Sequence, residues 1–429
     1  MNSMILLNKF SRGMVWNGIF YTIYKTLFLA LSFTLYYKLS TDNFSTWGMI
    51  NSSIFILLLW LNCGFKKSIP RYCPAFSKDK TVHKLFVKGL ILFQSILLTF
   101  IGLPLLGWGI SKFPHFISFK WYAFGIFVAE GMVTLLRLIY HAHFWQKQFN
   151  LLQTCCLLVE MMSNFYFIFY ATSEIVLIQF IFITKIISGI FITGISIIIL
   201  PSLYRDKFYP GSQKINIKKT IIDFVIHSFM MWATSFVKSL SERNILFPYL
   251  TLVLGPAIAN LFKVAQDGAL FFQRIALKTI GVTDTSLLSH IEEENKSTKI
   301  FKHAFLDLFK KVFLLCLPLL ILTIIVVCYP IYFSLNHEII SLFALFSIGY
   351  LLEIVLSPFE RVLETKREYK WLWLAYTPYL IYMIMSFTFI AVQRFSLVKF
   401  VALLQIFRFS GSFLMTIFSH KKYRLFSIH

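Results

Sequence analysis

Charged side chains recur at helical spacing inside long apolar runs, and their chemistry makes them the first candidates for function. Lys25 lies near the middle of the apolar segment 13–37, with Asn17 and Tyr21 at steps of four before it. An ionisable group in a membrane-spanning helix is costly, so each one is a candidate functional residue. Lys25 is either a cation that faces a cavity and binds an anionic head group, or a buried lysine paired with a carboxylate.

A second polar stripe runs along segment 119–142. Glu130 is followed by Thr134, Arg137 and His141 at offsets of four, seven and eleven, which places all four on one helix face. Glu130 could carry a coupling proton, or it could form a structural pair with Arg137 across two turns. Snorkelling towards the membrane surface also explains Arg137. We predict Glu130 as an ion-coupling residue and Arg137 as a substrate-binding residue.

A third group of charges lies in the second half of the chain. Lys238 ends segment 220–240, and Lys263 and Asp267 lie four residues apart in segment 245–280. Residues at this spacing can neutralise each other on one helix face. We predict Lys238 and Lys263 as substrate-binding cations, and Asp267 as a second residue for coupling to H⁺ or Na⁺.

Other intramembrane charges, including Glu353 and Glu360 on one face of segment 338–364, are predicted to be structural. No HExxH motif, Walker A motif or convincing Ser/His/Asp set is present, so we do not expect an enzyme. Six cysteines occur without a CxxC pair, and we interpret them as small apolar residues. The sequence therefore predicts no metal site and no cofactor.

The elements that position these charges follow from composition. The chain is 58% hydrophobic and only 14% charged, against about 25% charged residues in soluble domains. Lipid must therefore be its solvent, and a backbone in lipid must satisfy its own hydrogen bonds, which favours helices. The fold class is predicted to be all-α, a polytopic membrane protein with about twelve transmembrane helices. The apolar segments are 13–37, 45–65, 85–110, 119–142, 150–171, 174–200, 220–240, 245–280, 303–333, 338–364, 371–392 and 396–419.

The distribution of basic residues predicts the orientation of the chain. If the N-terminus is cytoplasmic, 31 Lys and Arg residues fall in inside segments and 7 in outside segments. This bias predicts a multi-pass protein of the inner (cytoplasmic) membrane with both termini in the cytoplasm. It also explains the net charge of +22 without a nucleic-acid partner. The longest inside loops are expected at 66–84, 201–219 and 281–302.

Short motifs in both halves resemble the polysaccharide-type flippases of the MOP exporter superfamily. In the first half, the resembling patches lie at the start of the first segment and around the end of the second. The second-half patch pairs Glu242-Arg243 with a later Leu-Gly-Pro turn. The patches are Arg12-Gly13-Met14-Val15-Trp16-Asn17, Phe44-Ser45-Thr46-Trp47-Gly48, Asn62-Cys63-Gly64-Phe65, Ser68-Ile69-Pro70-Arg71-Tyr72-Cys73-Pro74, Glu242-Arg243-Asn244-Ile245-Leu246 and Leu254-Gly255-Pro256-Ala257-Ile258-Ala259-Asn260.

The resemblance implies two six-helix lobes, at 1–205 and 206–429, around a central cavity. It implies a transporter that flips a lipid-linked oligosaccharide to the outer leaflet by alternating access, coupled to an ion gradient. The cationic candidates named above would then bind its polyprenyl diphosphate. Three alternatives stay open: a multidrug or cation antiporter, a peptidoglycan-precursor flippase of the same superfamily, and a membrane-embedded glycan transferase.

Overall fold

The computed structural model of the chain is helical throughout the part that it describes. It describes residues 3–77, 79–203, 216–240, 242–280, 284, 287–289, 291, 298–328, 337–391 and 396–425, and no β-strand occurs among them. The prediction of an all-α fold is confirmed. The predicted loops 201–219 and 281–302 lie mostly outside the described residues.

Fifteen α-helices of eight residues or more occur in these ranges, and each predicted apolar segment overlaps at least one. Short π-helical and 3₁₀ turns, Leu98–Gly102 and Pro114–Phe119, flank the fifth helix. The α-helices are α1 Ser3–Lys38, α2 Thr41–Trp60, α3 Phe65–Phe76, α4 Lys80–Leu97, α5 Leu103–Ser111, α6 Lys120–Ala142, α7 Gln146–Tyr170, α8 Glu174–Leu203, α9 Ile217–Ser239, α10 Arg243–Leu254, α11 Pro256–Ile280, α12 Thr298–Cys328, α13 His337–Thr365, α14 Tyr369–Ala391 and α15 Leu397–Tyr423.

The helices have the length and composition that a membrane requires. Ten described helical stretches are long and apolar enough to cross a bilayer, and the pair Thr41–Trp60 and Phe65–Cys73, bent by 43°, makes eleven. Their large apolar side chains are extensively exposed on the surface of the chain, as expected where lipid is the solvent. The protein is therefore a multi-pass membrane protein.

The segment predicted as the loop 66–84 contains a helix. Its prolines and lysines favour a loop, but α3 is buried around most of its surface, including the apolar residues Phe65, Ile69, Tyr72 and Phe76 at helical spacing. Gly64 starts the helix in the left-handed conformation, with φ of 76°, and Ser68 Oγ donates to its carbonyl oxygen. Tertiary burial thus overrides local propensity here.

The segment predicted at 245–280 is broken at Gly255, whose φ of 87° ends α10 before Pro256 begins α11. The candidate span before this break runs from Ile217 to Leu254. Lys238 lies in the last turn of α9, within this candidate span.

The chain divides into two compact units by contacts between Cα atoms. One unit comprises Lys9–Trp232, and the other comprises Met1–Asn8 with Ala233–His429. We call them the N-terminal unit and the C-terminal unit and describe the charged residues of each separately.

Candidate functional site

In the N-terminal unit, two neighbouring helices bring opposite charges together. Lys185 Nζ of α8 lies 3.4 Å from Glu130 Oε1 of α6. The two helices approach closely because Gly189 faces Ala129, where an added Cβ would lie 2.7 Å from the alanine methyl. Glu130 thus pairs with a lysine of another helix, and not through the predicted contact with Arg137 along its own helix.

Lys25 follows Tyr24 on α1, and Tyr24 interacts electrostatically with this pair. The side chain of Lys25 is buried, with Nζ 4.7 Å from the centroid of the Tyr24 ring and 5.5 Å from that of Phe28. Tyr24 is within electrostatic range of Lys185, Glu130, Glu160 and Arg137. The negative faces of aromatic rings attract a cation. The predicted candidates Lys25, Glu130 and Arg137 therefore belong to one polar region of the N-terminal unit.

A buried chain of amide and imidazole groups continues from α1. Asn150 Nδ2 of α7 donates to Asn17 Oδ1 at 2.8 Å, and Asn150 Oδ1 lies 3.4 Å from His141 Nε2 of α6. Gln146 Nε2 donates to the carbonyl oxygen of His141. These contacts hold α1, α6 and α7 in a fixed register, so Asn17 and His141 themselves have a structural role.

In the C-terminal unit, Lys238 reaches two carboxylates of α13. Its Nζ lies 3.2 Å from Glu353 Oε1 and 3.2 Å from Glu360 Oε2. The carboxylates are seven residues apart, so they lie on one face of α13, as the sequence predicts. The lysine predicted as a substrate-binding cation is thus held between two acidic side chains.

Glu353 and Glu360 carry two negative charges, of which Lys238 balances one. Arg408 of α15 balances the other. Its Nη2 lies 3.2 Å from Glu353 Oε2, and its guanidinium carbon lies 5.1 Å from the centroid of the Tyr350 ring. The count of basic residues assigns Arg408 to an inside segment, 408–424, at the end of the chain. It is instead buried, at 4% exposure, and completes a set of two cations and two anions with Lys238.

Uncharged side chains fill the remaining hydrogen-bonding positions around the carboxylates. Tyr376 Oη of α14 donates to Glu360 Oε1 at 2.6 Å, and Gln273 Nε2 of α11 donates to Glu353 Oε2 at 3.0 Å. A buried ion pair needs such bonds, because the desolvation of each charge is otherwise not repaid. We call Lys238, Glu353, Glu360, Arg408, Gln273 and Tyr376 the buried charge network.

Lys263 and Asp267 form a separate pair on α11. Lys263 Nζ lies 3.1 Å from Asp267 Oδ2, and both side chains are buried. The spacing of four residues, noted in the sequence, places the two charges in contact. The two opposite charges therefore balance each other on one helix.

Beyond the membrane-spanning helices, Glu368 ties the turn between α13 and α14 to the end of α15. Its Oε1 accepts hydrogen bonds of 2.6 Å from Lys422 Nζ and 2.6 Å from Tyr423 Oη. Partial burial opposes ionisation, but the two hydrogen bonds and the lysine charge outweigh it and lower the pKa of Glu368.

The stabilising effect of this contact is expected to depend on pH. Because the pKa is lowered by folding, the stabilisation is present above the unfolded pKa of about 4.3 and is lost as pH falls through the lower folded value. Glu368→Gln should reduce the free energy of unfolding at pH 7 by up to about 1 kcal/mol, and by less at pH 4. Thermal unfolding of both proteins in detergent at the two pH values measures the difference. An equal effect of the substitution at both pH values would contradict the assignment.

Solved structures of membrane transporters share this fold over nearly the whole chain. No family model matches the sequence, and no curated protein resembles it closely enough to count as a match. A MATE transporter in a straight conformation superposes with a TM-score of 0.71 at 12% identity, over 99% of this chain and 98% of the other. A point mutant of the Vibrio cholerae MATE transporter VcmN gives 0.68 at 13% identity, over 99% of both chains.

A third solved structure also shares this fold. It is a MOP superfamily transporter from Pyrococcus furiosus, with a TM-score of 0.69 at 13% identity over 99% of this chain and 98% of that one. Its description states that the reverse polarity of its binding pocket suggests a different function. The chain therefore has the fold of the MATE transporters of the MOP superfamily, which confirms the predicted fold class.

Proposed function

We propose that this protein is a membrane transporter that flips a lipid-linked oligosaccharide from the cytoplasmic to the outer leaflet by alternating access. Its substrate would carry a polyprenyl diphosphate, whose negative charge must be stabilised away from water. The proposal is supported by a fold shared with known transporters and by a buried cation in a helix that has no carboxylate.

That cation is Lys25, and it carries the proposal. It lies thirteen residues from both Arg12 and Lys38, so it is about 20 Å along the helix axis from each. A hydrocarbon layer is about 30 Å thick, which places Lys25 near its middle. The first acidic residue of the chain is Asp42, after α1 has ended. A helix built to bind a cationic drug would instead be expected to carry an acidic residue.

The polarity of this helix has a parallel in the comparison structures. The Pyrococcus furiosus transporter is described as having a binding pocket of reverse polarity, with a suggested difference in function. The same fold can thus hold a site of altered charge. For this chain we infer an anionic substrate, and we assign coupling to H⁺ or Na⁺ to Glu130 and Asp267, each of which forms an ion pair with a lysine.

Lys25→Ala is expected to lower the rate of flipping at least about tenfold, which corresponds to about 1.4 kcal/mol of lost substrate interaction. Lys25→Arg should keep most of the rate, because a guanidinium also binds diphosphate oxygens. The measurement uses purified protein in liposomes with a fluorescent short-chain polyprenyl diphosphate sugar, and scores accessibility of the probe to a membrane-impermeant quencher.

Lys38→Ala is the matched control, since Lys38 is exposed at the end of the same helix. This variant should flip the lipid-linked substrate at the wild-type rate. Thermal unfolding of each variant shows whether the folded state is kept. Wild-type flipping by Lys25→Ala would refute the assignment of Lys25, and absence of flipping by the wild-type protein would refute the proposed substrate.

A second candidate function is antiport of a cationic drug, which the fold likeness to multidrug transporters supports equally. Glu130 and Glu160, both in the polar region of the N-terminal unit, could attract a cation and exchange it for a proton. Ethidium efflux from cells that is abolished by Glu130→Gln and unaffected by Lys25→Ala would favour antiport over flipping.

A further inference from the structure

Three side chains typical of transition-metal ligands converge in the N-terminal unit, apart from the charged region around Lys25. Cys73 lies on α3, His83 on the first turns of α4, and His143 directly after α6. Cys73 and His83 are both fully buried, and His143 is partly buried. His143 lies 60 residues after His83 and 70 after Cys73, so no short sequence motif identifies the three together.

The distances fit coordination of a single ion. The Sγ atom of Cys73 is 3.6 Å from Nε2 of His143, and one ligand atom from each of the three residues lies within 4.8 Å of the others. With Zn–S near 2.3 Å and Zn–N near 2.0–2.1 Å, tetrahedral coordination separates sulfur and nitrogen by about 3.6 Å. The Cys73–His143 pair already has this separation, and His83 would complete the set by a side-chain shift of about 1 Å.

The backbone holds the two histidines in place. His143 stacks on Trp145 with ring centroids 4.7 Å apart, and Phe144 between them adopts a positive φ of 59°, which reverses the chain after α6. Asp79 caps α4 by accepting hydrogen bonds from the backbone of Thr81 and of the next residue, one turn before His83. The His83 and His143 rings meet edge to face, 4.7 Å apart. Binding of an ion would therefore require little further ordering of these two side chains.

We propose that Cys73, His83 and His143 form a binding site for a Zn²⁺-like transition-metal ion, with one coordination position left for water or another ligand. One thiolate and two imidazoles are donors that Zn²⁺ prefers, whereas Mg²⁺ and Ca²⁺ prefer oxygen ligands. As the ion binds, the thiol of Cys73 releases its proton to solvent and the sulfur forms the metal bond.

The site would join three elements that already meet through the contacts of His143 with Cys73 and with His83. The ion would link α3 to α4 and to the connection between α6 and α7, within the N-terminal unit. α3 follows the bend at Gly64, so a metal here would fix the position of the second helix of the bent pair. Binding to the folded state alone would raise its stability as the metal concentration rises.

Co²⁺ binding to the purified full-length protein in detergent tests the site. After treatment with a chelator, the wild-type protein should bind one Co²⁺ per chain at this site and show a thiolate-to-cobalt charge-transfer band, which Zn²⁺ should abolish by displacement. Cys73→Ser should lose the band, and His83→Ala should lose it or weaken Co²⁺ binding at least about tenfold. Cys155→Ser and Cys156→Ser are the matched controls and should keep it.

Stability measurements keep the test decisive if a variant folds poorly. Zn²⁺ should raise the unfolding temperature of the wild-type protein and of Cys156→Ser, and should leave that of Cys73→Ser unchanged, with all three measured against metal-free samples. A wild-type protein without the charge-transfer band, or a band that persists in Cys73→Ser, would overturn the proposal. The Cys73–His143 contact would then be a thiol–imidazole hydrogen bond only.

Discussion

Glu353→Gln is expected to destabilise the protein by about 3–5 kcal/mol, the usual cost of removing one partner from a buried ion pair. Glu353 contacts both cations of the buried charge network, with Lys238 Nζ and Arg408 Nη2 each 3.2 Å away. The amide keeps the shape of the side chain but leaves two cations with the single carboxylate of Glu360. Unfolding in mixed micelles with increasing denaturant measures the change.

A double-mutant cycle separates the loss of charge from the loss of shape. Arg408→Gln alone leaves an excess negative charge, whereas Glu353→Gln with Arg408→Gln restores a network of equal positive and negative charge. The double variant should therefore be more stable than the sum of the single effects predicts, with a coupling energy between about 0.5 and 3 kcal/mol. Strictly additive effects would show that the two side chains do not act as a pair.

Gly64→Ala is expected to prevent recovery of a stable, monodisperse protein. An added Cβ would overlap the carbonyl oxygen of Ser228 on α9 and lie 2.8 Å from the Trp232 nitrogen, and both of these are backbone atoms that cannot rotate away. The φ of 76° adds strain of about 1–3 kcal/mol for a residue with a side chain. Size-exclusion chromatography of a fluorescent fusion in detergent measures the folded fraction.

Gly89→Ala and Gly194→Ala are matched controls, because a Cβ at either position meets no atom within 4 Å. Both lie inside helices, where alanine is favoured over glycine by about 0.5–1 kcal/mol. They should elute like the wild-type protein or be slightly more stable. Normal elution of Gly64→Ala would show that α3 and α9 are not in close contact at this glycine.

The spans were predictable from sequence because a bilayer imposes a length on every apolar run. Segments such as 119–142 and 338–364 agree with α6 and α13 within a few residues. The helix α3 was not predictable in this way. Its prolines and lysines dominate the local pattern, and only contact with the rest of the N-terminal unit shows that most of the helix is buried.

The charged sites were predictable along a helix but not between helices. Periodicity correctly paired Lys263 with Asp267, and placed Glu353 on the same face as Glu360, because a helix fixes these spacings. It could not connect Lys238 to these carboxylates or identify Arg408 as their other partner, since the helices are remote in sequence. Cys73 and His143 were missed for the same reason, being 70 residues apart.

The members of the buried charge network are synthesised at different times, and this has a consequence for insertion into the membrane. Lys238 and Glu360 are separated by 122 residues, so at about 5–20 residues per second the ribosome adds the glutamate roughly 6–24 s after the lysine. During that interval α9 has emerged without its acidic partners from α13. A nascent chain that stops before α13 must therefore hold Lys238 in water, at the membrane surface or within the insertion machinery, and α13 completes the charge balance that lets α9 remain in lipid.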